Sequence, residues 1–208
     1  LDTMGEECRY FHERIWAWLE KMKSGEINGA TYKVTDIDGV HKPVLEIIHN
    51  IIRRWGSLWT GDGYPPYVHA WHRAEWQSSV MLIWILYDYG DVIYPSDRSF
   101  LEQLYANSCS NSNVCPGAPN SQIADWVARY LYTQYNKDIE IRYSTDPPPS
   151  SNVIEFMWDG RIYTPGSKYN AYELSRDYLN YLIDTWIRIG HSEFDSPAYS
   201  WCFIHSVS

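Results

Sequence analysis

The sequence predicts an all-α fold of antiparallel helical hairpins, interrupted by one small β-hairpin near 152–164. Long segments repeat apolar residues at helical spacing, short Gly, Pro and Ser clusters separate them, and only "VIEFMWDGRIYTPG" alternates in the manner of paired strands. At 208 residues the chain is read as a single domain spanning 1–208, large enough to bury a core.

Taken in order, residues 3–23 place Cys8, Phe11, Ile15, Trp18 and Met22 on one helical face, and "SGEING" ends that helix. A second helix is expected over roughly 43–59, with Pro43 near its first turn. After the loop "TGDGYPPY", a third runs over about 68–89; its second half is apolar nearly all round, which makes it central. "GDVIYPSD" breaks the chain, and Ser96 is placed to cap a short helix ending at Ala106. The polar loop "NSCSNSNVCPGAPNS" follows. Residues 121–136 form a helix with Ile123, Trp126, Val127, Tyr130 and Leu131 inward. The prolines of "TDPPPSS" forbid a helix. The alternating stretch then carries Asp159-Gly160 at its middle, a two-residue hairpin turn. "SKYNAYELSRDYLNYLIDTWIRIG" is a strong helix with Gly190 as its C-terminal cap. "SPAYSWCFIHSVS" starts a last helix whose end nothing marks, so the chain is expected to stop partway through its domain. About seven helices result; at on the order of 40 residues per helical pair, the length holds roughly four or five pairs. The absence of a fixed-period repeat disfavours a regular solenoid and leaves an irregular stack or a ring of hairpins.

Composition narrows the function. A formal net charge of -9, with no basic run longer than Arg53-Arg54, argues against a nucleic-acid partner. The longest apolar runs are too short to span a bilayer, so no membrane partner is expected. The chain opens "LDTMGEEC", without a charged-then-apolar leader. Cys109 and Cys115 share a Ser/Asn-rich loop in which a short-range disulfide is easily formed; that pair points to a secreted or periplasmic protein, while Cys8 and Cys202 read as buried thiols. Eleven Trp and 18 Tyr against 5 Phe fit either a helical core with amphipathic rims or a cleft that stacks sugar rings.

One short stretch concentrates chemistry. "GHSEFDSPAY", residues 190–199, places a histidine, two carboxylates and a tyrosine directly after the long helix. Together with "WDGRIYTPGSKYNAYELSRDYLNYLIDTW" it resembles the helical-toroid carbohydrate-active proteins, among them alginate-lyase and heparinase-type polysaccharide lyases and several glycoside hydrolases. The resemblance covers roughly residues 68–208. It implies an incomplete or small α/α toroid, with inner and outer helices alternating around a cleft, and a polysaccharide or oligosaccharide ligand. It also implies β-elimination of a uronate-containing glycan, in which His191 neutralises the uronate carboxylate and Tyr199 transfers the proton. The toroid lyases often have Asn-His where this chain has Gly190-His191. Arg161 and Arg176 would supply positive charge that lowers the tyrosine's pKa.

Other residues widen the choice. His72 and Glu75 in "HAWHRAEW" are three apart on one helix face, with His69 one turn earlier. They suit a cleft-facing polar cluster; a metal site would need further ligands, and no metal or cofactor is expected. A glycoside hydrolase would need two carboxylates across a cleft, for which Glu193, beside the apolar Phe194, is the best acid. Trp158, in the hairpin, is the best candidate for an exposed sugar platform. Against all of these stands a non-catalytic helical scaffold or binding domain. In it Glu193, Ser196 and Pro197 merely start a helix, His191 is solvated, and Asp159 serves its turn.

Overall fold

Two runs of helix, each with its own small sheets, build the protein. The computed structural model describes residues 14–36, 39–60, 72–112, 119–143 and 155–189. The chain divides into two compact units, 1–102 and 103–208.

In the first unit the described residues begin in helix α1 (14–23), which buries Ile15, Trp18 and Leu19, with Met22 half-buried. Gly25 ends it by turning into the left-handed region (φ 78°), where its N–H returns to the Met22 carbonyl. Only a residue without Cβ adopts that conformation at little cost. Strands β1 (Lys33–Thr35) and β2 (His41–Pro43) pair antiparallel, Val34 opposite Lys42. Helix α2 (Val44–Thr60) follows at once. Two N–H groups of its first turn are satisfied by chain rather than by a capping side chain: Val44 donates to the Tyr32 carbonyl and Leu45 to that of Gly29. The stripe Val44, Ile47, Ile48, Ile51, Ile52, Trp55 is buried at the i, i+3, i+4 spacing of a core-facing helix, each full burial contributing about 1.5–3 kcal/mol. It packs on α3 (His72–Tyr89). Met81, Leu82, Ile83, Ile85, Leu86 and Tyr89 of α3 are buried, as its apolar second half predicts, while Trp84 and Tyr87 turn outward.

Helix α4 (Pro95–Ser110) crosses the division between the units. It opens with Pro95 at the first helical position, where its missing N–H has no partner to lose. Ser96 therefore lies inside the helix instead of capping it. The helix also continues past Ala106, so Cys109 is a buried helical residue and not part of the polar loop; Cys115 lies outside the described residues.

The second unit adds β3 (Asn111–Ser112), α5 (Pro119–Tyr135), β4 (Glu140–Tyr143), β5 (Phe156–Trp158), β6 (Arg161–Tyr163), β7 (Lys168–Asn170) and α6 (Ala171–Ile189). β4 is central to a three-stranded sheet, parallel to β3 and antiparallel to β7. β5 and β6 form the expected hairpin. Helix therefore dominates, but two further small sheets depart from a purely α fold. The three residues of β7 fall where the sequence pattern predicts the opening of α6. On α5, Ile123 and Trp126 are buried as expected, whereas Val127, Tyr130 and Leu131 are half-buried and Ala124, Ala128 and Tyr132 extend the buried arc. The core joins Ile123 and Trp126 of α5 to Ile141 and Tyr143 of β4, Phe156, Tyr163 and the Leu174–Tyr178–Leu182 face of α6. Its rings meet at specific angles: Phe156 stacks on Tyr163 (4.7 Å) and Trp126 tilts against Tyr178 (4.7 Å). No helix among the described residues is long and apolar enough to cross a membrane.

Candidate functional site

The turn of the β5–β6 hairpin decides which of its side chains face the core. Asp159 (φ 48°) and Gly160 (φ 76°) both take positive φ, the signature of a two-residue type I′ turn closed by the Trp158–Arg161 pair. That register puts Phe156, Trp158, Arg161 and Tyr163 on one face, with Phe156 and Tyr163 buried and Arg161 exposed beside the turn. Tyr163, buried, donates from its hydroxyl to Asp177 Oδ2 at 2.5 Å. Asp177 is itself buried on α6, and its Oδ1 takes both Nε and Nη2 of Arg176 at 2.7 Å. Arg161 reaches across to Glu173 at 2.9 Å.

This network fixes protonation states. Burial, then the hydrogen bond to Asp177, pushes Tyr163 up to about 12 against the weaker pull of Arg161, so its proton stays on the phenol and Tyr163 is a lock rather than a base. The Arg176 guanidinium is held further above its ordinary range by the hydrogen bond to Asp177, and Arg161 by that to Glu173. Of a guanidinium's five N–H donors, Arg176 gives two to Asp177 and retains the others.

Beside this lock, α5 and α6 present a ring flanked by cations. Tyr172 and Arg176 are four apart and share a helix face. The Tyr172 ring stacks on Tyr130 of α5 (5.6 Å, 20° between planes). Lys137 Nζ lies 5.1 Å and Arg176 Cζ 5.8 Å from the Tyr172 centroid. Lys137, in the turn after α5, pairs with no carboxylate among the described residues, which leaves its ammonium beside the ring without a counter-charge. Its backbone is fixed by Asn170, whose Nδ2 donates to the Lys137 carbonyl (2.6 Å) while Oδ1 caps α6 by accepting from the Glu173 N–H (3.1 Å).

Of the residues singled out in the sequence, Arg161 and Arg176 come together around the Tyr163–Asp177 pair, each bound to a carboxylate. Trp158 is half-buried against the core, because its side of the strand faces α6; the exposed ring-sized surface of the hairpin belongs instead to Met157 and Ile162. His72 and Glu75 stand in the first turn of α3, in a segment whose side chains are not among those described. His69, His191, Glu193 and Tyr199 lie outside the described residues, as does the Gly190 cap. Among the described residues no group of three or more His, Cys, Asp or Glu is arranged to hold a metal.

Two groupings escape sequence reasoning. Tyr130, Tyr172 and Lys137 read as helix faces and a turn, although the Tyr-x-x-x-Arg spacing of 172–176 is visible. In the first unit, His49 and Arg53 of α2 converge on Asp97 of α4, a meeting no local pattern announces. The chain matches no family model, no curated protein and no solved structure.

Proposed function

We propose that the chain is a carbohydrate-active protein acting on an acidic polysaccharide, by β-elimination. The observation that carries this reading is the Tyr172 cluster: an aromatic ring stacked on Tyr130, with the Lys137 ammonium and the Arg176 guanidinium over it. A sugar ring offers an apolar C–H face to stack on tyrosine, and a uronate carboxylate accepts charge-assisted hydrogen bonds from ammonium and guanidinium. The surplus of Trp and Tyr supports the same reading. In the accompanying architecture, the α2–α3 and α5–α6 pairs are turns of a small or incomplete α/α toroid. The chemistry belongs to the 190–199 corner. His191 neutralises the uronate carboxylate, Tyr199 removes the adjacent ring proton, the C–O bond to the leaving sugar breaks as a C=C bond forms, and Tyr199 returns the proton to the leaving oxygen.

Ultraviolet absorbance of the unsaturated product, followed with a panel of uronate-containing polysaccharides, tests this. Absorbance should rise with wild type and stay flat with His191→Ala and with Tyr199→Phe. Lys137→Ala and Tyr172→Ala should weaken binding about tenfold each, since a desolvated charged hydrogen bond or a stacked ring contributes on the order of 1–3 kcal/mol. New reducing ends without absorbance would move the chemistry to hydrolysis with Glu193 as acid. No product and no binding by folded protein would sink the carbohydrate reading and leave a helical scaffold.

A further inference from the structure

The first unit holds a polar cluster that the polysaccharide reading does not use. His49 is on α2, beside the buried stripe; its Nδ1 lies 2.8 and 2.9 Å from the two carboxylate oxygens of Asp97. Asp97 is the third residue of α4, its side chain 1% exposed, while that of His49 is 36% exposed. One turn along α2, Arg53 donates Nε to Asp97 Oδ1 (2.9 Å) and Nη2 to the Ser96 carbonyl (3.0 Å), and its guanidinium rests on the Phe100 ring at 4.4 Å. Tyr94 stands edge-on to the imidazole at 5.7 Å and is itself partly exposed.

These contacts assign the protons. Asp97 sits in the first turn of α4, where the helix field favours an anion, and Arg53 adds a full positive charge, so the carboxylate accepts hydrogen bonds and does not donate them. When the imidazole is neutral its proton is therefore on Nδ1, which leaves the lone pair on Nε2. Among the described residues no other polar group meets Nε2. A half-exposed imidazole, held in that tautomer by a buried carboxylate that is itself held by an arginine, is the arrangement that makes histidine a general base.

We infer that His49 and Asp97 form a second acid–base site, one that hydrolyses carboxylic esters by activating water. Nε2 takes a proton from water, the water oxygen bonds to the ester carbonyl carbon, and the tetrahedral adduct expels the alcohol oxygen as the C–O bond breaks. The imidazolium then returns its proton to that oxygen, giving acid and alcohol and restoring the site. His49 is the catalytic residue; Asp97 and Arg53 are positioning residues. The site rests on residues of the first unit alone and stands or falls independently of the glycan face.

Asp97→Asn gives a sharp test. Arg53 Nε needs an acceptor, so the amide oxygen of the variant stays with Arg53 and its NH2 turns to the imidazole. Nδ1 must then accept, the proton moves to Nε2, and the base is lost while the packing is kept. The probe is p-nitrophenyl acetate, with nitrogen NMR of the histidine rings as the second readout. We expect hydrolysis by wild type, a fall of at least about tenfold in both His49→Gln and Asp97→Asn, and no change in His41→Gln, which alters an exposed histidine on β2. The rings should show His49 protonated on Nδ1 in wild type and on Nε2 in Asp97→Asn. Equal hydrolysis by wild type and folded variants overturns the proposal. So does an Nε2-protonated His49 in the wild type, a measurement that requires no variant to fold.

Discussion

A carboxylate sealed inside a protein must be given donors, and Asp177 receives them from two directions: the Tyr163 hydroxyl from the hairpin and the Arg176 guanidinium from its own helix. Removing one donor leaves a buried charge underpaired, which costs more than the bond itself was worth. Tyr163→Phe keeps the ring stacked on Phe156 and deletes only the hydroxyl. It should lower stability by about 1–3 kcal/mol in a denaturant titration. Combined with Asp177→Asn, the loss should be smaller than the sum of the two single losses, because both changes break one interaction. A Tyr163→Phe protein as stable as wild type would show that the hydroxyl contributes nothing. By contrast, the exposed Arg161–Glu173 pair, 51% and 44% exposed, is screened by water and contributes little to stability.

Between elements, Asn170 does the joining: it caps α6 through Oδ1 and ties the turn after α5 through Nδ2. Asn170→Ala should cost about 1–2 kcal/mol from the cap, as read by thermal melting. It should also weaken polyuronate binding, because Lys137 loses the bond that holds its backbone. Asn170→Asp keeps a capping oxygen but has no donor, so it should recover stability and not affinity; recovery of both would assign the whole effect to the cap. These elements differ in how far the sequence discloses them. The β5–β6 hairpin is legible because Asp159-Gly160 states its turn locally. The long helices are legible because each repeats its apolar stripe several times. β1 and β2, although Asp38-Gly39 precedes β2, and β4 and β7 are not, because strands of three or four residues leave too few alternations to stand out, and β7 runs straight into α6. The sites are legible only in part. Arg161 and Arg176 stand out by their neighbourhood, but their carboxylate partners do not. His49 and Asp97 are 48 residues apart, and only the folded chain brings them together.

Over the whole molecule, the tyrosine-rich interior sets how the protein meets alkali. Tyr89 in the first unit is raised above its ordinary value by burial and by donation to Glu20; Tyr178 in the second is raised chiefly by burial, and Tyr163 is pushed up to about 12. The sign comes from linkage. A tyrosine whose folded pKa exceeds its ordinary value of about 10 keeps its proton when the unfolded chain has already lost it. The stability it contributes is complete below pH about 10 and drains away as pH rises towards the folded value. Stability should therefore fall steadily above pH about 10, in both units, with Tyr163→Phe showing a shallower decline than wild type. A second signal separates this from general charge repulsion. At pH about 11 the folded protein should show less phenolate absorbance than its 18 tyrosines would give when free in water, and the missing absorbance should appear at once on adding denaturant. If the folded protein titrated all its tyrosines near their ordinary value, the buried hydroxyls would not be locked. The Tyr163–Asp177 pair would then have to be read as solvent-accessible and, with Arg161 and Arg176 beside it, as a base open to the polysaccharide chemistry.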